Sequence, residues 1–157
     1  MSMPTMWRLG AWLPNRTREA ADQEAESDLR AREVALGLDR GAPFLLAPDG
    51  SPDDDVLSYF ASASFKLLST QTRESYAKDL RLFLSFLTAV GVAWREASWT
   101  DVLNYEHWRR RDAANPRPVS GAKISRELAA CKKFYEWQQL SGKRRGSTTA
   151  NLRHVAR

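Results

Sequence analysis

The chain has 157 residues, enough for one domain with flanking segments, and 43% of them are hydrophobic, with six tryptophans. A single cysteine, Cys131, excludes an internal disulfide and a structural zinc site. The net charge is +5, and no stretch approaches the roughly 20 apolar residues of a membrane span.

Residues 1–16 read as irregular, punctuated by Pro4, Gly10 and Pro14. Trp7, Leu9, Trp12 and Leu13 are interrupted by Arg8 and stopped by Pro14, which is too short and too broken for a signal-peptide core. A soluble, cytoplasmic protein is therefore expected. Residues 17–38 are rich in Glu, Arg and Ala and favour a helix. Its apolar face (Ala21, Ala25, Leu29) is thin, so the helix is marginal alone and needs the main domain or a partner. Gly41 to Ser51 reads as a connector, with a short apolar run at Phe44-Leu45-Leu46 and a turn signal at Pro48-Asp49-Gly50. No strand pair is evident. Residues 1–50 thus form an N-terminal extension.

The compact domain is expected over residues 51–142. Its first helix runs from Pro52 to about Leu67, with Ser51 as N-cap, Pro52 at the first helical position and Asp53 to Asp55 at the positive end of the dipole. The second starts at Ser69 or Thr70, buries Tyr76, Leu80, Phe83, Leu84 and Leu87 on one face, and stops at Gly91. Trp94 in the following link reads as a core plug. The third begins at Ser98 or Thr100, where Ser98 with Asp101 three residues on resembles a capping box, and buries Val102, Tyr105 and Trp108. Arg109, Arg110 and Arg111 at its end suit the helix dipole. Asn115-Pro116-Arg117-Pro118 breaks the chain. The fourth helix is Ser120 to Leu140, with Ile124, Leu128, Cys131 and Tyr135 on one face and Lys123, Arg126 and Lys133 roughly opposite. Cys131 is thus a buried free thiol. Residues 143–157 read as a basic tail.

The charge is segregated. Residues 1–50 carry 6 basic and 8 acidic side chains, residues 51–100 carry 5 and 6, and residues 101–157 carry 13 and 5. All of the excess lies in the last third, which is the electrostatic footprint for a polyanion. Charge runs also coat solvated faces for solubility alone.

The order and spacing of these residues resemble a known family. Ser69-Thr70-Gln71-Thr72 followed by Tyr76, Leu80 and Phe83 is similar to the opening of the core-binding domain of tyrosine recombinases, the phage-integrase type. Ser120, Ile124, Arg126, Leu128, Ala129, Ala130, Lys132, Lys133, Phe134-Tyr135 and Gly142 resemble the last major helix of that domain. Gly91, Trp94, Asp101-Val102 and Trp108-Arg109 match its middle, and Pro43 to Leu46 with Asp49-Gly50 resemble the lead-in of actinobacterial members. The resemblance covers about residues 43–142. It implies an all-α fold, a SAM-like bundle of four to five helices forming half of a clamp on double-stranded DNA, preceded here by the N-terminal helical extension read from residues 17–38.

Carried over residue by residue, the resemblance makes Thr72 and Arg73 DNA contacts from one helix, and Ser120, Lys123, Arg126, Lys132 and Lys133 contacts from the other. The chemistry agrees: helix N-termini offer N–H groups to phosphate, hydroxyls donate to phosphate oxygens, and arginine binds phosphate or guanine in two-point fashion. Each residue also has a plainer reading. Thr72 and Ser120 serve as caps, Arg126 pairs with a carboxylate, Lys133 is solvated, and Arg109 to Arg111 cap a helix. Phe134, Tyr135 and Trp137 read as core rather than as platforms for bases.

The family's chemistry resides in a second domain, which supplies arginines, a lysine, histidines and a nucleophilic tyrosine. The chain ends before such a domain would fit, so it is expected not to be an enzyme by itself. His154-Val155-Ala156-Arg157 has the spacing of the family's catalytic motif but directly follows the tail, and is read as coincidence. Tyr59, Tyr76, Tyr105 and Tyr135 sit in helical core patterns. No cofactor, metal or small-molecule ligand is expected. The expected partners are duplex DNA and further recombinase subunits on it, in DNA integration and recombination. Three rivals remain: a helical protein-interaction module using residues 17–38, a full recombinase of which this is the N-terminal piece, and a stand-alone regulator occupying recombination sites.

Overall fold

The computed structural model describes residues 6–11, 37 and 41–141. The expected helix over 17–38 and the tail with His154 lie outside the described residues. Two short strands, β1 (Arg8–Ala11) and β2 (Pro43–Leu46), precede α1 (Asp54–Ala61), α2 (Ala63–Lys66), α3 (Thr70–Ala89), α4 (Trp99–Arg110) and α5 (Gly121–Leu140). A 3-10 turn at Trp94–Glu96 links α3 to α4. The fold is a small helical bundle, as expected, and among the helices α3 packs most extensively on α5.

The strands correct the expectation that no pair exists. β1 and β2 are antiparallel, with Arg8 opposite Leu46 and Gly10 opposite Phe44. A Cβ at Gly10 would come within 2.6 Å of the Phe44 ring, so glycine there lets the ring lie across the facing strand. Trp7 straps the sheet to α3. Its backbone N–H donates to Ser85 Oγ at 2.9 Å, its indole N–H donates to Thr88 Oγ1 at 3.1 Å, and its carbonyl accepts from Arg81 Nε at 2.8 Å. Trp7, Phe44 and Leu45 belong to the same core as the helices.

The first predicted helix is also corrected. Its cap is Asp53, whose carboxylate accepts from the N–H groups of Asp55 and Val56 at 3.1 and 3.2 Å. Ser51 is committed to the preceding turn, where its N–H and hydroxyl both donate to Asp49. The helix then breaks at Ser62, whose backbone is extended. The Ser62 hydroxyl donates to the Tyr59 carbonyl at 2.6 Å and accepts from Phe65 N–H at 3.3 Å, closing α1 and opening α2. On one unbroken helix Phe60 and Phe65 would point about 140° apart. The break lets both enter the core, edge to face with ring centres 5.0 Å apart.

The remaining helices follow their sequence signals. Ser69 caps α3 and Ser120 caps α5. Gly91 takes the left-handed conformation (φ 77°) just beyond α3. Asp101 accepts from the Ser98 N–H at 2.7 Å at the start of α4. Trp94 is buried as the expected plug, with its carbonyl accepting from the Tyr135 hydroxyl at 2.8 Å. Asn115 gives the break after α4 its shape: its buried side-chain amide donates to the carbonyls of Trp108 and Arg109, both at 3.1 Å. Cys131 is fully buried, and burial pushes its thiol well above the ordinary range. Among the described residues no helix is long and apolar enough to cross a membrane.

Candidate nucleic-acid interface

The seven residues singled out in the sequence lie on α3 and at or along α5. On α3 the Ser69 hydroxyl accepts from Thr72 N–H at 3.2 Å and donates to Thr72 Oγ1 at 2.8 Å. Ser69 is therefore the cap, and Thr72 keeps its own hydroxyl proton to donate. Arg73 is half-buried. Its terminal nitrogen donates to Thr70 Oγ1 at 3.2 Å, while its Nε is buried without a partner among the described residues.

At the start of α5, Ser120 accepts from Lys123 N–H at 3.2 Å, the capping role the sequence suggested. Lys123 is not on the free outer face. Its ammonium lies 3.4 Å from Asp79 of α3 and 3.6 Å from Glu127 of its own helix. Thr72 and Asp79 are seven residues apart, hence about 10 Å along α3 and about 20° around it. The Lys123–Asp79 contact thereby docks the first turn of α5 beside the Thr72 stripe of α3.

Arg126 and Lys133 are exposed. They too are seven residues apart, so they share one outward stripe of α5, and neither has a carboxylate partner among the described residues. Lys132 is half-buried and stands about half a turn around the helix from Lys123. Lys123, Arg126 and Lys133 therefore fall within about 80° of arc on α5, with Ser120 at its capped start and Lys132 about 100° beyond Lys133.

Beneath Lys123 lies a charged network outside the expectations drawn from the sequence. Glu127 is fully buried, and its carboxylate accepts from Tyr105 Oη at 2.8 Å and from Arg109 Nε at 2.9 Å, with a second bond to Arg109 Nη2. Arg109 is thus a core partner of α5, whereas Arg110 pairs with Glu106 on α4 and Arg111 is exposed. Burial opposes ionisation of Glu127, but the bonds from Arg109 and Tyr105 outweigh it and hold the carboxyl below its usual range. At Asp79 burial wins: its carboxyl is raised despite the opposing charge of Lys123.

The two carboxylates therefore push stability in opposite directions with pH. Glu127, with a lowered pKa, contributes stability that is present above 4.5 and lost as pH falls through its folded value. Asp79, with a raised pKa, contributes stability that is present below 3.8 and lost as pH rises through its folded value. Urea unfolding between about pH 3 and 6 should show an acid-side loss of stability. The loss should be shallower in Glu127→Gln and steeper in Asp79→Asn.

The aromatic residues of α5 are structural. Phe134 and Tyr135 are fully buried, and half-buried Trp137 packs at 5.9 Å on Tyr59. Three tyrosines are buried and Tyr76 is half-buried. No group of three or more His, Cys, Asp or Glu able to hold a metal occurs among the described residues. A groove of about 540 Å³ lies at the other end of α3, between Met6, Phe86, Val90, His107 and Trp108. It is mainly apolar and offers no converging set of charged groups.

The architecture is a small helical bundle that presents two hydroxyl-capped helices and an exposed basic stripe. Residues 63–142, half of the chain, match the family described as phage integrase, N-terminal SAM-like domain. The chain belongs to that family. Over 72 residues it is 32% identical to a protein of Caldanaerobacter subterraneus subsp. tengcongensis named as a putative tyrosine recombinase, a stretch covering 46% of this chain and 23% of that one. The match thus spans under a quarter of the relative's length. No solved structure matches the chain significantly.

Proposed function

We propose that this chain binds duplex DNA as the core-binding part of a site-specific tyrosine recombinase, through Thr72, Arg73, Ser120, Lys123, Arg126, Lys132 and Lys133. The observation that carries the reading is the outer stripe of α5. It starts at a serine-capped helix end and continues through Arg126 and Lys133, both exposed and free of carboxylates among the described residues. Unpaired cations along a helix that opens with a capped N-terminus suit a row of phosphates. Family membership supports the same reading. Thr72 adds a hydroxyl donor about 10 Å along α3 from the Asp79–Lys123 contact. Strand cleavage and rejoining belong to a catalytic domain of the recombinase, and this region supplies grip and register on DNA. Residues 51–142 are its DNA-binding unit, residues 143–157 are a basic link, and other recombinase subunits are its partners on DNA in the cytoplasm.

Fluorescence anisotropy of a labelled duplex of about 30 base pairs, titrated at several salt concentrations, tests the reading. Binding should weaken steeply as salt rises. Arg126→Glu/Lys133→Glu should reduce affinity and lower the slope of log K against log salt by about two, one for each phosphate that is no longer neutralised. These positions are preferable to Lys123→Glu, which would bring a third carboxylate against Asp79 and Glu127. Unchanged affinity and slope in the folded double variant would remove α5 from the interface.

A further inference from the structure

We propose that Asp79 restrains Lys123, so that the start of α5 meets phosphate with less charge than its sequence suggests and Asp79 sets the affinity of this face. The inference rests on reading the α3–α5 face as a DNA surface.

Four charged groups from three helices meet here: Asp79 of α3, Arg109 of α4, and Lys123 and Glu127 of α5. Their formal charges sum to zero. Glu127 is already held by Arg109 and the Tyr105 hydroxyl, so it depends on Lys123 less than Asp79 does. Asp79 is different. It is 7% exposed, and Lys123 is its side-chain hydrogen-bond donor among the described residues. When Lys123 swings out to a phosphate, Asp79 is left buried and charged without its partner, which is unfavourable. The lysine can make that swing, because its side chain is 41% exposed and its four-carbon stem is flexible. One ammonium is therefore shared between an internal carboxylate and an external anion, and each bond is made at the expense of the other. Arg126 and Lys133 have no such competitor among the described residues. The raised pKa of Asp79 fits a buried carboxylate that the nearby charges of Lys123 and Arg109 only partly compensate. It also means that the neutral form is tolerated in the fold, so Asp79→Asn should remain folded.

The test is a double-mutant cycle on the labelled duplex with the full chain: wild type, Asp79→Asn, Lys123→Ala and the pair, with Asp79→Ser as a second way to remove the charge. Asp79→Asn should bind about two- to fivefold tighter, the scale of one partly exposed ion pair. Its log–log salt slope should steepen by up to about one as Lys123 becomes a full contact. Asp79→Glu should stay near wild type. In the Lys123→Ala background, removing Asp79 should do no more than Glu96→Gln does in wild type, the effect of deleting one exposed negative charge. An equal gain with and without Lys123 would reduce Asp79 to a bystander charge and overturn the proposal. Weaker binding by a folded Asp79→Asn would overturn it too, since Asp79 would then present the lysine rather than restrain it. Failure of the wild type itself to bind at low salt would instead remove the DNA reading, and the restraint on binding with it.

Discussion

Glu127→Ala should destabilise the protein by about 3–5 kcal/mol, the usual result of stranding one member of a buried ion pair. Glu127 is completely inaccessible, and the Arg109 side chain opposite it is 11% exposed. The alanine would leave a guanidinium and a tyrosine hydroxyl between α4 and α5 without their acceptor, and would take from Lys123 one of its two carboxylate neighbours. Denaturant unfolding followed by circular dichroism reads the loss directly. Glu127→Gln keeps an acceptor and should lose less. Arg109→Met/Glu127→Leu should lose less than the sum of the single substitutions, because an apolar pair replaces two charges that need each other. A Glu127→Ala protein as stable as wild type would mean that water reaches Arg109 and Tyr105 and satisfies them.

This network explains part of what is legible in the sequence. The three long helices announce themselves by apolar stripes and by serines at their starts, and α3, α4 and α5 begin within a residue or two of where those signals fall. The charged residues among them are harder to assign. Arg109 suits a helix C-terminus as a cation, yet on a helical projection it falls between Val102 and Tyr105, inside the buried stripe. Glu127 falls beside Cys131, and Asp79 beside Phe83, by the same geometry. Opposite charges set into the apolar faces of neighbouring helices are a signal for a buried pair, and that signal is present in the sequence. Ser62 gives less warning, since a serine within a helical run discloses nothing of whether its hydroxyl will cap a new turn. The strands are least legible of all. Each is four residues long, and they pair across more than thirty intervening positions. Neither strand has room to show an alternating pattern, and the glycine that looks like a breaker is the residue that makes space for Phe44. For the candidate interface, residue types and helix placement are readable, but the diversion of Lys123 towards Asp79 depends on how α3 and α5 pack.

Removing residues 1–50 should leave a fragment whose stability is close to zero or below it. A cut at Ser51 suits the turn chemistry of Pro48-Asp49-Gly50, but it takes away Trp7, Phe44 and Leu45, all of them buried among the helices. Deleting a single large core side chain costs about 2–5 kcal/mol, against a total of about 5–15 kcal/mol for a typical domain. Three such deletions together are as large as the whole margin. The cut also leaves Ser85 and Thr88 on α3 without their bonds to Trp7. Trp7→Ala in the full chain isolates one part of this and should cost about 3–5 kcal/mol. Gly10→Val should cost about 1–3 kcal/mol through overpacking, because its Cβ would press on the Phe44 ring. Thermal and urea unfolding of the fragment and of both variants would weigh the strands against the helices. A fragment 51–157 that unfolds cooperatively at the full-length midpoint would make the sheet an ornament on an independent bundle. A fragment that fails to fold, with Trp7→Ala intermediate, would make the pair of strands part of what holds α3 in place and, through the Asp79–Lys123 contact, part of what sets α5 beside it.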